Sequence, residues 1–207
     1  MSSDMSRRYR WFRRVVTALF RILFGFTTHG AERVPEEGPL MVAANHTQYL
    51  DPFFTGVAVP RRVLWMAKKE LFVFPFRKFF DFLGAFPVDR EKGDRAALKT
   101  SMELLNKGHA LGIFPEGTHR QGAASRDAKS GVVVLGLRGG AQVLPVYISP
   151  APGPLARLRG ARMHVCIGDP ISLDANLRGG KAYREAADGI MRSIYALPEA
   201  YGVPGKH

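Results

Sequence analysis

Short apolar runs alternate with helix-like segments along most of this chain, and this alternation limits the possible folds more than any other feature. The strand-like runs are residues 27–34, 40–44, 63–67, 85–89, 111–114, 143–148 and 163–167. The segments with helical spacing are residues 51–59, 94–107, 130–138 and 181–196. Continuous apolar strands are typical of parallel sheets that are covered on both faces. We therefore predict an α/β fold with a mostly parallel central sheet flanked by helices, and functional residues at the carboxyl ends of its strands.

The charge balance indicates an anionic partner. The chain has 207 residues, enough for one domain with a sizeable core, and carries 30 Lys and Arg against 18 Asp and Glu, a net charge of +12. A phosphate-bearing substrate, a membrane surface and a nucleic acid each suit such a charge. The aromatic residues sit in apolar runs and no nucleic-acid-binding motif is present, so we expect no nucleic-acid partner.

The cysteine content excludes stabilisation by internal disulfides or by a zinc finger. Cys166 is the only cysteine, so no disulfide can form within the chain and zinc-finger spacing is absent. We expect neither a metal nor a cofactor. Because Cys166 lies in an apolar run, we predict that it is buried and is not a thiol nucleophile.

Residues 1–26 have the pattern of a basic amphipathic helix. The side chains that share one helical face are mostly basic: Arg10, Arg14, Thr17 and Arg21. The side chains roughly opposite are apolar: Phe12, Val16, Leu19 and Leu23. The longest uncharged run, residues 15–20, is far shorter than the ~20 residues that cross a bilayer. We predict a peripheral or monotopic helix on the anionic, cytoplasmic face of a membrane; the alternative is a helix that packs its apolar face on the domain, and both hold if core and lipid share it.

Two further segments complete the organisation of the chain. The main domain is expected to cover residues 27–200, followed by a disordered tail over residues 201–207. Residues 70–83 contain six phenylalanines, with Pro75 breaking or kinking any helix there. These phenylalanines either pack in the core or form a surface that faces lipid or an acyl chain.

His46 and Asp51 form the most informative pair in the chain. The apolar run 40–44 leads into His46, and a helix is expected to begin at Asp51 and Pro52. A turn between strand and helix can bring the Asp51 carboxylate to one imidazole nitrogen while the other faces a cleft, and such a pair acts as a base near neutral pH. The spacing alone also fits a turn histidine beside a helix-capping aspartate.

Four blocks in a fixed order carry a family resemblance. The blocks are Asn45-His46 followed by four residues and Asp51, then Gly84 with Arg90 six residues later, then Phe114-Pro115-Glu116-Gly117-Thr118-His119-Arg120, and finally Leu144-Pro145-Val146. This order resembles the glycerolipid acyltransferases, a family of lysophospholipid acyltransferases, over about residues 28 to 170. The resemblance implies transfer of a fatty acyl group from acyl-CoA or acyl carrier protein to the free hydroxyl of 1-acylglycerol-3-phosphate, which gives phosphatidic acid.

The resemblance also implies roles for individual residues. His46 would be the general base and Asp51 would orient it, so no acyl-enzyme is needed. The residues implied in substrate binding are Arg90, Glu116, Gly117, Thr118, His119, Arg120 and Pro145. Among them the cations would bind the acceptor phosphate, and Gly117 and its neighbours would offer backbone donors to the oxyanion.

The chain departs from the family pattern at the third block. His119 stands where the family usually has arginine, and Arg120 follows one residue later; Pro87 stands where the second block often has an aromatic residue. Two alternatives therefore stay open: the same chemistry on another lysophospholipid or a glycolipid, and a non-catalytic basic protein that binds membranes or nucleic acid.

Overall fold

A computed structural model of the chain describes residues 7–72, 77, 80–81, 84–88, 94–117 and 129–205. In this part of the chain the strands are β1 (Thr27–His29), β2 (Leu40–Ala44), β3 (Val63–Lys68), β4 (Ala85–Val88), β5 (Ala110–Ile113), β6 (Gln142–Ile148) and β7 (His164–Ile167). They form one sheet in the order β1-β7-β6-β2-β5-β3-β4. Every neighbouring pair is parallel except β6 and β7.

Helices cover both faces of the sheet. They are α1 (Arg7–Phe24), α2 (Asp51–Ala58), α3 (Asp94–Asn106), α4 (Gly131–Arg138), α5 (Pro154–Leu158) and α6 (Gly180–Ala200). One core cluster joins the sheet to α1 and α2, and a second joins the other face to α3, α4 and α6. The predicted α/β fold with a mostly parallel sheet is confirmed.

β2 is the fourth of the seven strands and so lies at the centre of the sheet, paired with β5 on one side and β6 on the other. Leu40 is aligned with Ala110 of β5 and with Gln142 of β6. All five β2 residues are fully buried, as expected for a continuous apolar strand between two helical layers. The chain leaves β2 at its carboxyl end directly into the His46 turn.

The antiparallel strand β7 brings distant segments to this same edge of the sheet. Val165 of β7 is aligned with Ile148 near the end of β6 and with Thr28 of β1. The amino ends of β1 and β7 therefore lie beside the carboxyl ends of β2 and β6. The apolar runs predicted the strands but not this reversal.

The amino-terminal helix α1 packs one face on the domain. Phe20 makes an edge contact with Phe54 of α2 at 5.0 Å between ring centroids, and Arg13 donates to the Val57 carbonyl at the end of α2. Another face is exposed and apolar: Trp11, Val15, Leu19, Ile22 and Leu23. The packing alternative is thus observed, and contact with a membrane stays a prediction. No helix within the described ranges is both long enough and apolar enough to cross a bilayer.

The structure differs from the sequence analysis at both ends of the carboxyl-terminal region. The prediction of a disordered tail from Tyr201 is wrong at its first residues, because the Tyr201 hydroxyl donates to the Ile167 carbonyl at 2.7 Å and Val203 packs on the core. Pro154–Leu158, which the sequence pattern did not mark as a helix, form α5, with Pro154 at its first turn.

Candidate active site

The structure brings His46 and Asp51 together, as the turn predicted. His46 Nδ1 lies 3.0 Å from Asp51 Oδ2, and the side chains are 15% and 0% exposed. A carboxylate at this nitrogen keeps a proton on Nδ1 and makes Nε2 the basic nitrogen of the ring. The pair has the geometry of an oriented general base.

Asp51 is fixed by the turn that it closes. Its Oδ2 accepts hydrogen bonds from the backbone N–H of Thr47 at 2.6 Å and of Gln48 at 2.8 Å. Asp51 is also the first residue of α2, where the helix dipole favours a negative charge. The other carboxylate oxygen, Oδ1, is buried and has no partner among the described residues.

Asn45 anchors the start of the turn, a role that the sequence analysis did not assign. Its side-chain amide donates to the Ile148 carbonyl at 2.9 Å, and its side-chain oxygen accepts from the Ile148 N–H at 2.7 Å. These two bonds continue the β2–β6 ladder with a side chain after β2 has ended. The signal available in the sequence was an Asn directly after the apolar run 40–44, because a polar side chain at the end of a buried strand needs hydrogen-bond partners.

A stack of aromatic rings supports the His46 imidazole. The Phe114 ring lies against it with centroids 4.0 Å apart and an angle of 14°, and Trp65 stacks on Phe114 at 4.7 Å. Trp65 in turn covers Gly112, where an added Cβ would lie 2.5 Å from Trp65 Cε2. Gly112 is therefore required by the stack, and neither Trp65 nor Gly112 was singled out from sequence.

A large cavity opens beside the stack. Its volume is about 1150 Å³, above the range of ordinary small-molecule pockets. Its described wall includes residues of α1, α2, β3, α3 and the segment after β5, together with Tyr49 and Pro52, which follow His46 within six residues. Phe80 also lines it, so the described part of the phenylalanine-rich segment includes a cavity-facing residue.

The third sequence block forms the turn next to Phe114. The Tyr195 hydroxyl of α6 donates to Glu116 Oε1 at 2.7 Å, which fixes the carboxylate from outside its own turn. Gly117 has a φ of 87°, and a side chain there would overlap Lys129. The Gly117 N–H donates to the Phe114 carbonyl at 2.9 Å, within its own turn. A role of Gly117 in substrate binding stays a prediction.

The remaining predicted site residues divide into two groups. Pro145 is buried in β6 opposite Ala43, its carbonyl accepts from the Gly168 N–H at 2.9 Å, and it is not among the described residues that line the cavity. Its described contacts are those of strand packing. The other predicted positions lie outside the described residues and stay predictions: Arg90, Thr118, His119 and Arg120.

Two further candidate chemistries find no support in the described residues. Burial raises the pKa of the Cys166 thiol to about 11, so this side chain stays protonated at neutral pH and is a poor nucleophile. No group of three or more His, Cys, Asp or Glu side chains within the described ranges is arranged to hold a metal ion.

Two known proteins are similar to this chain over most of its length. A protein from Bacillus subtilis (strain 168) named 1-acyl-sn-glycerol-3-phosphate acyltransferase is 31% identical over 168 residues, which cover 79% of this chain and 82% of that protein. A Streptococcus pneumoniae protein of the same name is 29% identical over 194 residues, covering 89% of this chain and 70% of that protein.

A solved structure shares the fold. It is the 1-acyl-sn-glycerophosphate (LPA) acyltransferase PlsC from Thermotoga maritima, with a TM-score of 0.63 and 19% identity over 98% of this chain and 86% of that one. The model of a protein family described as Acyltransferase matches residues 25–149, which include the His46 turn, the ring stack and the Glu116 turn. This chain therefore belongs to the acyltransferase family.

Proposed function

We propose that this protein transfers a fatty acyl group from a thioester donor, acyl-CoA or acyl carrier protein, to the free hydroxyl of 1-acylglycerol-3-phosphate, which yields phosphatidic acid. The names of the relatives support this acceptor. The net charge of +12 suits an acceptor that carries a phosphate. The observation that carries the proposal is the 3.0 Å contact of His46 Nδ1 with the buried Asp51 carboxylate, beside a cavity with room for an acyl chain.

The proposed reaction proceeds without an acyl-enzyme. His46 Nε2 removes the proton from the acceptor hydroxyl, and the resulting oxygen attacks the thioester carbonyl carbon. The tetrahedral intermediate collapses, the carbon–sulfur bond breaks, and the thiolate takes the proton from the imidazolium. Asp51 stabilises the imidazolium while it exists, as the aspartate does in serine hydrolases.

The acceptor is positioned by the second and third sequence blocks in this proposal. Arg90 with His119 or Arg120 binds the phosphate, because guanidinium groups pair bidentately with phosphate oxygens. Glu116, held by Tyr195, orients Arg90 or a substrate hydroxyl. Support for the oxyanion falls to N–H groups next to Gly117, such as that of Thr118.

Replacing the base tests the mechanism. His46→Ala should lower kcat by about 10²- to 10⁴-fold, because proton transfer by a positioned base contributes that much. His109→Ala is the matched control, since His109 precedes β5 at the opposite edge of the sheet and should leave kcat within about twofold. Acyl transfer is measured with 1-acylglycerol-3-phosphate and both donors, and unchanged turnover in folded His46→Ala would remove the proposed role.

Because His119 departs from the arginine that is usual in the family, a second class of acceptor stays possible. An arginine at this position suits a bare phosphate headgroup, which carries the most negative charge. The histidine that stands there suits an acceptor whose headgroup carries less negative charge. A panel of lysophospholipids and glycolipids separates the two. Higher kcat/KM for 1-acylglycerol-3-phosphate than for every other acceptor supports the first proposal, and preference for a headgroup-substituted lysolipid supports the second.

A further inference from the structure

A second pocket lies beside the carboxyl end of α1. Its volume is about 370 Å³, and its described lining is Arg21, Gly25, Phe26, Thr27, Thr28, Arg157 and Arg162. Three of these side chains are guanidinium groups and none is a carboxylate. Thr28 adds a hydroxyl group that can donate a hydrogen bond, whereas the Thr27 hydroxyl donates to the Gly25 carbonyl at 3.2 Å. This wall has the chemistry of an anion site.

The three arginines lack the partners that usually hold such side chains. In the described part of the chain, none of their guanidinium groups is hydrogen-bonded or paired with a carboxylate, and the Nε atom of Arg157 is buried without a partner. Gly25, with a φ of 61°, makes room for the arrangement: an added Cβ would lie 3.2 Å from the Arg157 guanidinium and from Arg162 Cγ. Adjacent unpaired cations repel one another, and an anion between them removes this repulsion.

The pocket shares the active-site edge of the sheet. Because β7 is antiparallel to β6, Thr28 at the pocket is aligned through Val165 with Ile148, the residue that Asn45 binds. Thr28 is therefore three strands, about 14 Å, from the start of the His46 turn. A partner bound in this pocket would sit next to the catalytic edge.

Exposed apolar side chains flank the pocket on both segments that supply its arginines. Ile22 and Leu23 near the end of α1 are 73% and 51% exposed, and Leu155 and Leu158 of α5 are 62% and 85% exposed. Apolar side chains beside guanidinium groups are typical of helices that lie in a bilayer interface, with the cations at lipid phosphates.

We propose that the pocket of Arg21, Arg157 and Arg162 binds the phosphate of a phospholipid headgroup in an anionic bilayer, with α5 as a second membrane-contact element beside α1. Guanidinium groups suit this ligand because they pair bidentately with phosphate oxygens. The bound lipid holds the catalytic edge of the sheet at the bilayer surface. Headgroup binding does not involve His46, so it stands apart from the proposed acyl transfer.

A charge-matched pair of double variants tests this site. Arg157→Gln with Arg162→Gln removes two cations from the pocket, and Arg138→Gln with Arg192→Gln removes two exposed arginines from α4 and α6 on the other face. Partition is measured by sedimentation with phosphatidylcholine vesicles that contain phosphatidylglycerol. We expect the pocket variant to bind about tenfold more weakly and the control within about twofold of the unmodified protein.

Two results would overturn the proposal. One is an equal loss in both double variants, which would reduce the site to net charge. The other is unchanged vesicle binding together with a raised KM for acyl-CoA, which would make the donor's phosphates the occupant. Thermal melts establish whether each variant is folded. If the pocket double variant is unfolded, Arg162→Gln alone replaces it, because Arg162 is exposed, and this variant should bind the vesicles about threefold more weakly than the unmodified protein. His46→Ala should bind vesicles normally, so failure of the acyl-transfer mechanism and failure of the lipid site give different results.

Discussion

At the scale of single residues, one carboxylate oxygen organises the His46 turn. Oδ2 of Asp51 accepts from two backbone N–H groups and also faces the His46 ring. The side chain is fully buried, so these interactions act in a medium where water does not screen them. The same atom therefore fixes the shape of the turn and the orientation of the His46 ring.

Asp51→Asn separates these two effects. The amide oxygen can still accept from the backbone of residues 47 and 48, so the turn should persist, but the negative charge that stabilises the imidazolium is lost. We expect kcat to fall by about 10⁴-fold, as for the corresponding change in serine proteases, with the melting temperature lowered by only a few degrees. Acyl-transfer kinetics and thermal unfolding measure the two effects.

The exposed residue Asp174 provides the matched control. Asp174→Asn removes the same charge from a loop where, among the described residues, its carboxylate accepts only from the Asn176 N–H. Its kcat should equal that of the unmodified protein. A folded Asp51→Asn variant with full kcat would show that the carboxylate shapes the turn without assisting the base.

At the scale of elements, the sequence predicted what local pattern determines. The apolar runs located six strands to within one residue at each end, but β1 ends at His29 and not at Val34, because residues 31–33 form a 3-10 turn. The Asn-His block placed His46 and Asp51 after a strand end. The Trp65–Phe114–His46 stack and the three-arginine pocket were not predictable in this way. Each joins residues far apart in sequence, and their meeting depends on strand order and on the reversal of β7. α5 was missed because its Pro and Gly neighbours are typical of a chain break.

Helix α1 shows how one element serves two surfaces. Val16, Phe20 and Phe24 pack on the core, whereas Trp11 and Ile22 are 67% and 73% exposed. Ile22→Ser should leave the melting temperature nearly unchanged and weaken binding to anionic vesicles about tenfold, because a large apolar side chain gains about 1.5–3 kcal/mol on leaving water.

Phe20→Ser on the packed face of the same helix gives the opposite pattern. It should lower the free energy of unfolding by about 2 kcal/mol or more, because it leaves a cavity against Phe54. Thermal melts and vesicle sedimentation on both variants measure the two surfaces. If Ile22→Ser bound vesicles as tightly as the unmodified protein, α1 would be a packing element only.

At the scale of the whole molecule, the candidate functional features lie at one edge of the sheet. The His46 turn, the cavity and the three-arginine pocket all lie at the carboxyl ends of β2 and β6. α1 runs between them, since Tyr9 and Phe12 near its start line the cavity and Arg21 near its end lines the pocket. A bilayer that meets this edge would contact the two sites together, as a lipid-modifying enzyme requires.

The pH dependence of global stability gives a test of how this edge is packed. His164 Nδ1 lies 3.1 Å from His29 Nε2, and burial, His29 and Arg162 lower the pKa of His164. Below pH 6.5 the unfolded chain therefore binds a proton at His164 before the folded protein does, so the free energy of unfolding falls as the pH drops through this range. His164→Gln keeps a group that can hydrogen-bond to His29 but does not titrate. Urea unfolding at pH 7.5 and 5.5 should show a smaller loss of stability in this variant than in the unmodified protein. An identical loss in the two proteins would mean that the histidine pair is solvated and does not make the stability of β1 and β7 depend on pH.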